Sequence, residues 1–405
     1  MYNFALAMPK KKPVKKLSIP LILSDRFSKF FDSSKSGGLL LIFCTVISLI
    51  LANSFLSDAY MNLWRTEIHV NFLNLHFPHH LVDWVDDGLM TVFFLLVGLE
   101  IKRELIIGEL NTVKTAMLPV MAALGGMLIP ALLFLLINKG HSEFMMGAGI
   151  PTTTDIAFAI AILSILGDRI PNSFKIFLTA LAIIDDLGAI LIIAIFYGGH
   201  IAWLYLLAVL LIAALMLYLN KKGVKSIMVY TVLGLLLWLC TLQSGIHATI
   251  AGVVMAFCIP FGDGSNSNVS GKLISVLERP VNFLIMPFFA LANTAISINS
   301  GMIDGLSSAL PIGIFLGLLV GKPVGIYLGA IASTKLGLAE INDNISKKMI
   351  VGGGFLGGIG FTMSIFVTNL AFDQAYLINI SKLSIILASV SAASIGYGIL
   401  AQKKK

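Results

Sequence analysis

The sequence predicts an all-α polytopic membrane protein of 12 transmembrane helices, and three observations carry that fold class. Hydrophobic residues make up 57% of the 405-residue chain and charged residues 12%, about half the roughly 25% charged share of soluble domains. Twelve apolar segments approach the ~20 residues a helix needs to cross a bilayer. When those twelve are threaded in order, lysine and arginine fall overwhelmingly on one side.

The segments lie at 37–56, 82–101, 115–137, 144–166, 172–197, 199–219, 226–240, 245–260, 281–299, 309–333, 349–372 and 378–400. Residues 1–36 form a basic tail containing M-P-K-K-K-P-V-K-K, suited to an anionic lipid surface. The first apolar run is too long for the core of a signal peptide and is read as a span. The seventh and eighth segments are short and separated only by Thr241 to Ser244, which predicts a tight hairpin. Residues 37–400 then make a single transmembrane domain, followed by a basic tail at 401–405.

With both termini cytoplasmic, eight positive residues lie in the N-terminal region, thirteen in inside loops and three in the C-terminal tail. Arg65, Lys139 and Lys382 fall outside, and Lys322 falls mid-membrane. The net charge of +7 therefore belongs to the membrane surface and marks no nucleic-acid partner. Cys44, Cys240 and Cys258 lie inside apolar runs and read as packing residues. The outer loop 57–81 alternates apolar and polar residues in E-I-H-V-N-F-L-N-L-H-F, which suggests a β-hairpin. Its apolar side needs a partner, either the same protomer or a second copy.

An ionisable residue inside a span costs a few kcal/mol or more, so it is a functional candidate by default. Asp155, Asp185, Asp186 and Lys322 fall at similar mid-membrane depth, in the fourth, fifth and tenth segments. Asp87 and Glu100 lie nearer the two ends of the second. Residues i and i+1 project about 100° apart on a helix. One carboxylate of the Asp185–Asp186 pair can thus face a partner while the other faces a cavity. Buried carboxylates of this kind hold either a proton or a small hard cation. Lys322 is the counter-charge, to Asp185 or to Asp155. Three acids against one base leave a surplus that favours a cation.

Two spans are poor continuous helices. The fourth contains G-A-G-I-P-T-T-T-D-I-A-F and the eleventh G-G-G-F-L-G-G-I-G-F-T-M-S-I-F. Broken helices at membrane depth are tolerated where they line a cavity or are buried in protein. Interrupted segments at corresponding positions in two halves predict inverted repeats, spans 3–5 and 10–12, with spans 4 and 11 as broken crossing helices. Gly313, Gly317, Gly321, Gly325 and Gly329 recur every fourth residue along the tenth span and predict close helix packing.

Six stretches together resemble the NhaA-type bacterial sodium/proton antiporters. They are V-F-F-L-L-V-G-L-E-I-K-R-E-L (92–105), P-T-T-T-D-I-A-F-A (151–159), K-I-F-L-T-A-L-A-I-I-D-D-L-G-A-I (175–190), S-G-I-H-A-T-I-A-G (244–252), G-K-P-V-G-I (321–326) and G-I-G-F-T-M-S-I-F (358–366). The resemblance implies a secondary transporter, not an enzyme. It implies electrogenic, pH-regulated exchange of Na+ or Li+ for H+ with no cofactor, in the bacterial inner membrane, by a homodimer joined through the outer hairpin. Asp186 matches the family's main cation-binding aspartate, and Asp185 matches the neighbour paired with the lysine at Lys322. Thr154 and Asp155 match the crossing of the broken helices. Asp87 matches an acid near the outward side, Glu100 one in the cytoplasmic funnel, and His247 a histidine linked to pH response. The stretch L-I-S-V-L-E-R-P at 273–280 departs from the family's acid- and histidine-rich pattern, as does the loop before it.

Three other readings use the same residues. An intramembrane aspartyl protease needs two acids on different spans facing one water, and Lys322 opposes that shared-proton chemistry. A cation channel needs an open acidic or carbonyl-lined path. A Na+/solute symporter would require a solute for Na+ flux.

Overall fold

The structure is a computed structural model and describes residues 34–72, 75–108, 110–199, 201–262 and 268–402. The basic tails expected at 1–36 and 401–405 thus lie almost wholly outside the described residues, as do residues 263–267 in the loop before the ninth span.

Eight helical stretches are long and apolar enough to cross a bilayer: Thr115–Ile137, Ser142–Leu166, Asn172–Phe196, Trp203–Lys221, Ile227–Ser244, Val269–Asn293, Ala309–Lys335 and Ala375–Ala401. Two bent pairs raise the number to as many as ten. One is Lys347–Gly357 with Phe361–Ala371, bent by 45°. The other joins α1 (Ser34–Ala52) to α2 (Ser57–Trp64) across a 118° turn. Leucines exposed on the outer faces mark lipid as the solvent. On α7 (Trp203–Lys221) Trp203 and Leu204 are 74% and 77% exposed and only Val209 and Met216 are buried.

Between these helices come α3 (Met90–Ile106), α4 (Val113–Ile137), α5 (Ile156–Leu166) and α6 (Asn172–Phe196). A π-helical turn, Trp84–Leu89, leads into α3. Charged residues at both ends of this stretch keep it from reading as a plain apolar span. The expected outer hairpin is present as antiparallel strands β1 (Glu67–Phe72) and β2 (Leu75–His80). Residues 57–64 before it are helical instead.

The expected turn between spans seven and eight moves. Helix α8 (Ile227–Ser244) runs through Thr241–Ser244, and Gly245 ends it in the left-handed region at φ 83°. The turn therefore falls after Ser244, and α9 (Ile250–Cys258) keeps only nine residues. The ninth span also starts earlier than 281. Helix α10 (Val269–Pro280), a π turn at Val281–Ile285 and α11 (Met286–Asn293) form one stretch.

The chain then runs through α12 (Ala309–Leu316), a π turn at Gly317–Gly321, α13 (Lys322–Lys335), α14 (Lys347–Gly357), α15 (Phe361–Ala371) and α16 (Ala375–Ala401). The glycine stripe packs against α4, backbone on backbone. A methyl group at Gly325 would sit on the carbonyl of Gly125, one at Gly329 on that of Met121, and one at Gly321 against Pro130. This contact fixes Lys322 one residue beyond Gly321. Gly325→Val is expected to cost at least about 3 kcal/mol by overpacking and to lower the melting temperature in detergent by several degrees. Gly398→Val, at a position with open space around it, serves as the control that leaves melting unchanged.

Candidate functional site

Two helix breaks meet at the centre of the protein. The 3-10 stretch Ser142–Thr152 ends and α5 begins at Ile156, leaving 153–155 extended. Opposite it, α14 ends at Gly357 and α15 begins at Phe361. The breaks are tied directly: Asp155 N donates to Ile359 O at 2.6 Å. Ser364 Oγ donates to Ile150 O at 2.9 Å and lies 2.9 Å from Thr153 Oγ1. Chain ends of this kind expose backbone donors and acceptors that lipid cannot satisfy.

Charged side chains meet those ends. Asp155 is the N-cap of α5, where Oδ1 accepts from Phe158 N at 3.1 Å. Its Oδ2 accepts from Thr362 N at 3.2 Å and from the Thr362 hydroxyl, so one carboxylate serves both helix N-termini. Lys322 donates to the carbonyl of Thr152, at the C-terminal end of the 3-10 stretch.

Lys322 Nζ also lies 2.9 Å from Asp185 Oδ2, both side chains fully buried. Asp185, not Asp155, is therefore its partner in this conformation. Thr154 Oγ1 sits 2.6 Å from Asp185 Oδ2 and 2.8 Å from Gly357 O. Asp186 points elsewhere, as the 100° step along α6 requires. Its Oδ1 is buried with no hydrogen-bond partner, and so is Asp185 Oδ1. A cavity of about 370 Å³ reaches Asp186, Asp155 and Thr362, with Glu100, Glu278 and Arg279 also in its wall. Unpartnered carboxylate oxygens beside a hydroxyl and main-chain carbonyls are the oxygen donor set that a hard cation takes. Among the described residues, no group of three or more His, Cys, Asp and Glu side chains is gathered as a resident metal centre would need.

The remaining candidates separate into two places. Glu100 joins the cavity. Asp87 and His247 do not: His247 Nε2 lies 3.6 Å from Asp87 Oδ1, and its Nδ1 lies 2.9 Å from Thr249 Oγ1. Thr362, Glu278, Arg279 and the carbonyls of Thr152 and Gly357 were missed as candidates in the sequence. Thr362 stands inside the G-F-T-M-S motif, and its place just after a break was the available signal. Main-chain carbonyls carry no sequence signal.

Comparison with known proteins shows the family. A sequence profile of the family described as Na+/H+ antiporter 1 matches residues 28–400. The chain is 49% identical over 371 residues to the Na(+)/H(+) antiporter NhaA of Flavobacterium psychrophilum, covering 92% of this chain and 94% of that protein. It is 50% identical over 375 residues to the Na(+)/H(+) antiporter NhaA 1 of Flavobacterium johnsoniae, covering 93% and 96%. For the Na(+)/H(+) antiporter NhaA of Proteus mirabilis the figures are 47% over 375 residues, 92% and 95%. Among solved structures, the sodium proton antiporter MjNhaP1 from Methanocaldococcus jannaschii shares the fold at a TM-score of 0.54 with 16% identity, covering 94% of this chain and 95% of that one. With the profile spanning nearly its whole length and relatives near half identical, this multi-pass membrane chain belongs to the Na+/H+ antiporter 1 family.

Proposed function

We propose that the chain exchanges Na+ or Li+ for protons by alternating access, with cation and protons competing for Asp185 and Asp186. The observation that carries this is the cavity ending on Asp186, whose Oδ1 has no protein partner, beside an Asp185 held by Lys322. A cation entering past Glu100 displaces the proton on Asp186 and takes oxygens from Asp186, Asp185 and Thr154. Its departure on the other side leaves the carboxylates to reprotonate. Coupling needs no ATP and no cofactor, because one set of oxygens cannot hold both ions. Exchange is electrogenic, an expectation carried by the family resemblance. Glu100, Asp87 and His247 shape access and pH response.

Twelve spans with both termini cytoplasmic, in the bacterial inner membrane, explain the lysine and arginine asymmetry. Residues 1–36 and 401–405 are then cytoplasmic tails around a single transmembrane domain at 37–400. Spans 3–5 and 10–12 are inverted repeats, a reading supported by paired breaks at 153–155 and 358–360. The outer hairpin joins two copies into a homodimer. Purified protein in proteoliposomes is expected to move protons when Na+ or Li+ is added, read by a pH-sensitive dye. Absence of any response from about pH 6 to 9, where shifted carboxylates and histidine titrate, would overturn the proposal.

A further inference from the structure

Lysine 382, expected outside the membrane, is instead buried seven residues into α16, where its Nζ donates to Asn293 Oδ1 at 3.1 Å. Asn293 donates to Asp86 Oδ1 at 2.7 Å. Asn369 donates to Asp86 Oδ2 at 2.8 Å, and its Nδ2 lies 2.6 Å from Asn293 Oδ1. Four residues from four separate helical stretches thus share one network, with Lys382 and Asn293 buried and Asp86 and Asn369 half-buried. The mid-membrane site uses none of them.

Its position gives it a purpose. Asp86 and Glu100 are fourteen residues apart on one helical stretch, about 21 Å at 1.5 Å per residue. On this stretch the cavity is lined by Phe93, Leu96, Val97 and Glu100, so the network lies toward the opposite end. Asn369 lies seven residues beyond Thr362, about 10 Å along α15 from the cavity floor. One turn closer to that floor, Phe366 is fully buried, with ring centroids 5.5 Å from Phe94, 5.3 Å from His247 and 6.4 Å from Phe289. An aromatic layer and a polar layer therefore separate Asp186 from the far side. The next residue along the chain, Asp87, pairs with His247 and is 28% exposed. Solvent-accessible surface thus begins directly past the network.

We propose that Asp86, Asn293, Asn369 and Lys382 form a polar latch that closes the end opposite the Glu100 cavity and parts when that end opens. The inference rests on the alternating-access reading above. Opposite charges bridged by an amide and partly withdrawn from water are weak as a source of stability but suited to a switch, since they are re-solvated when the contact separates. Hydrogen bonds between side chains on separate helices also break without disturbing any helix. Asp86, Asn293, Asn369 and Lys382 act as positioning residues, not ion ligands.

Two measurements test it. In a background lacking Cys44, Cys240 and Cys258, Asp86→Cys with Asn369→Cys is joined by a short bis-methanethiosulfonate, which forms a reducible disulfide with each thiol and releases sulfinate. Cross-linking is expected to stop Na+-evoked proton movement and reduction to restore it. A fully cross-linked protein that exchanges normally overturns the latch. The second measurement needs no transport. Val97→Cys lines the cavity and reports its accessibility to an impermeant maleimide. Asp86→Asn with Lys382→Met removes both charges together and is expected to slow this labelling at least about twofold, by shifting the population away from the cavity-open state. An unchanged rate in folded protein also overturns the latch. Slowed labelling without exchange in any variant, wild type included, would leave the latch standing and remove the antiport reading.

Discussion

Asp186→Asn is expected to reduce Na+-evoked proton movement to the empty-liposome background at every pH from about 6 to 9, in a protein that still folds and inserts. Asparagine keeps the volume and one carbonyl oxygen but neither ionises nor carries the exchanged proton. The loss is therefore of function, not of shape. Asp186 Oδ1 makes no hydrogen bond, so substitution breaks no contact and leaves the Lys322–Asp185 pair intact. Folding stability should stay within about 1 kcal/mol of wild type, the size of an ordinary substitution. Removing a buried, unpaired carboxylate even relieves a desolvation cost. Substantial residual exchange in Asp186→Asn would move the cation site to Asp155 or Asp185. Unfolding would instead show that Asp186 holds the helices together.

How much of this was legible in the sequence depends on what each feature needs. Buried charge in an apolar run is visible directly, which is why Asp155, Asp185, Asp186 and Lys322 stood out. The glycine stripe was legible for a similar reason, since a four-residue period on one span means close packing whatever the neighbour. The neighbour itself, α4 with Pro130 and the Gly125 carbonyl, was not, because contact between distant segments leaves no local pattern. Asp86 and Lys382 were missed for an instructive reason. Each lies near the end of a span, where a charge ordinarily reaches the interface at little cost. Only three-dimensional packing shows that Asn293 and Asn369 draw them inward. The turn after α8 was misplaced because Thr241 to Ser244 read as polar punctuation. The hydroxyls of Thr241 and Ser244 bond back to Leu237 O and Thr241 O, so the helix continues until Gly245 releases it.

Lys322→Met tests whether the ion pair is scaffold, working part, or both. Removing the ammonium leaves Asp185 fully buried without its counter-charge and removes a donor from the Thr152 carbonyl. Breaking one half of a buried pair typically costs 3–5 kcal/mol, about what is expected here, read as a loss of several degrees in melting temperature. Asp185→Asn with Lys322→Met removes both charges, and most of that loss should return, because no lone charge stays buried. Thr154 still bonds to Gly357 O in the double variant, so the crossing keeps a tie between its two breaks. Stability and transport then part company. A scaffold would exchange ions once its stability is restored. A pair that competes with the cation for Asp185 would not, since the double variant has lost both a carboxylate ligand and the positive charge that holds it ready. Recovered melting with exchange still at background is the expected result. Recovered melting with recovered exchange would confine Asp185 and Lys322 to structure and leave Asp186 and Asp155 to carry the ions.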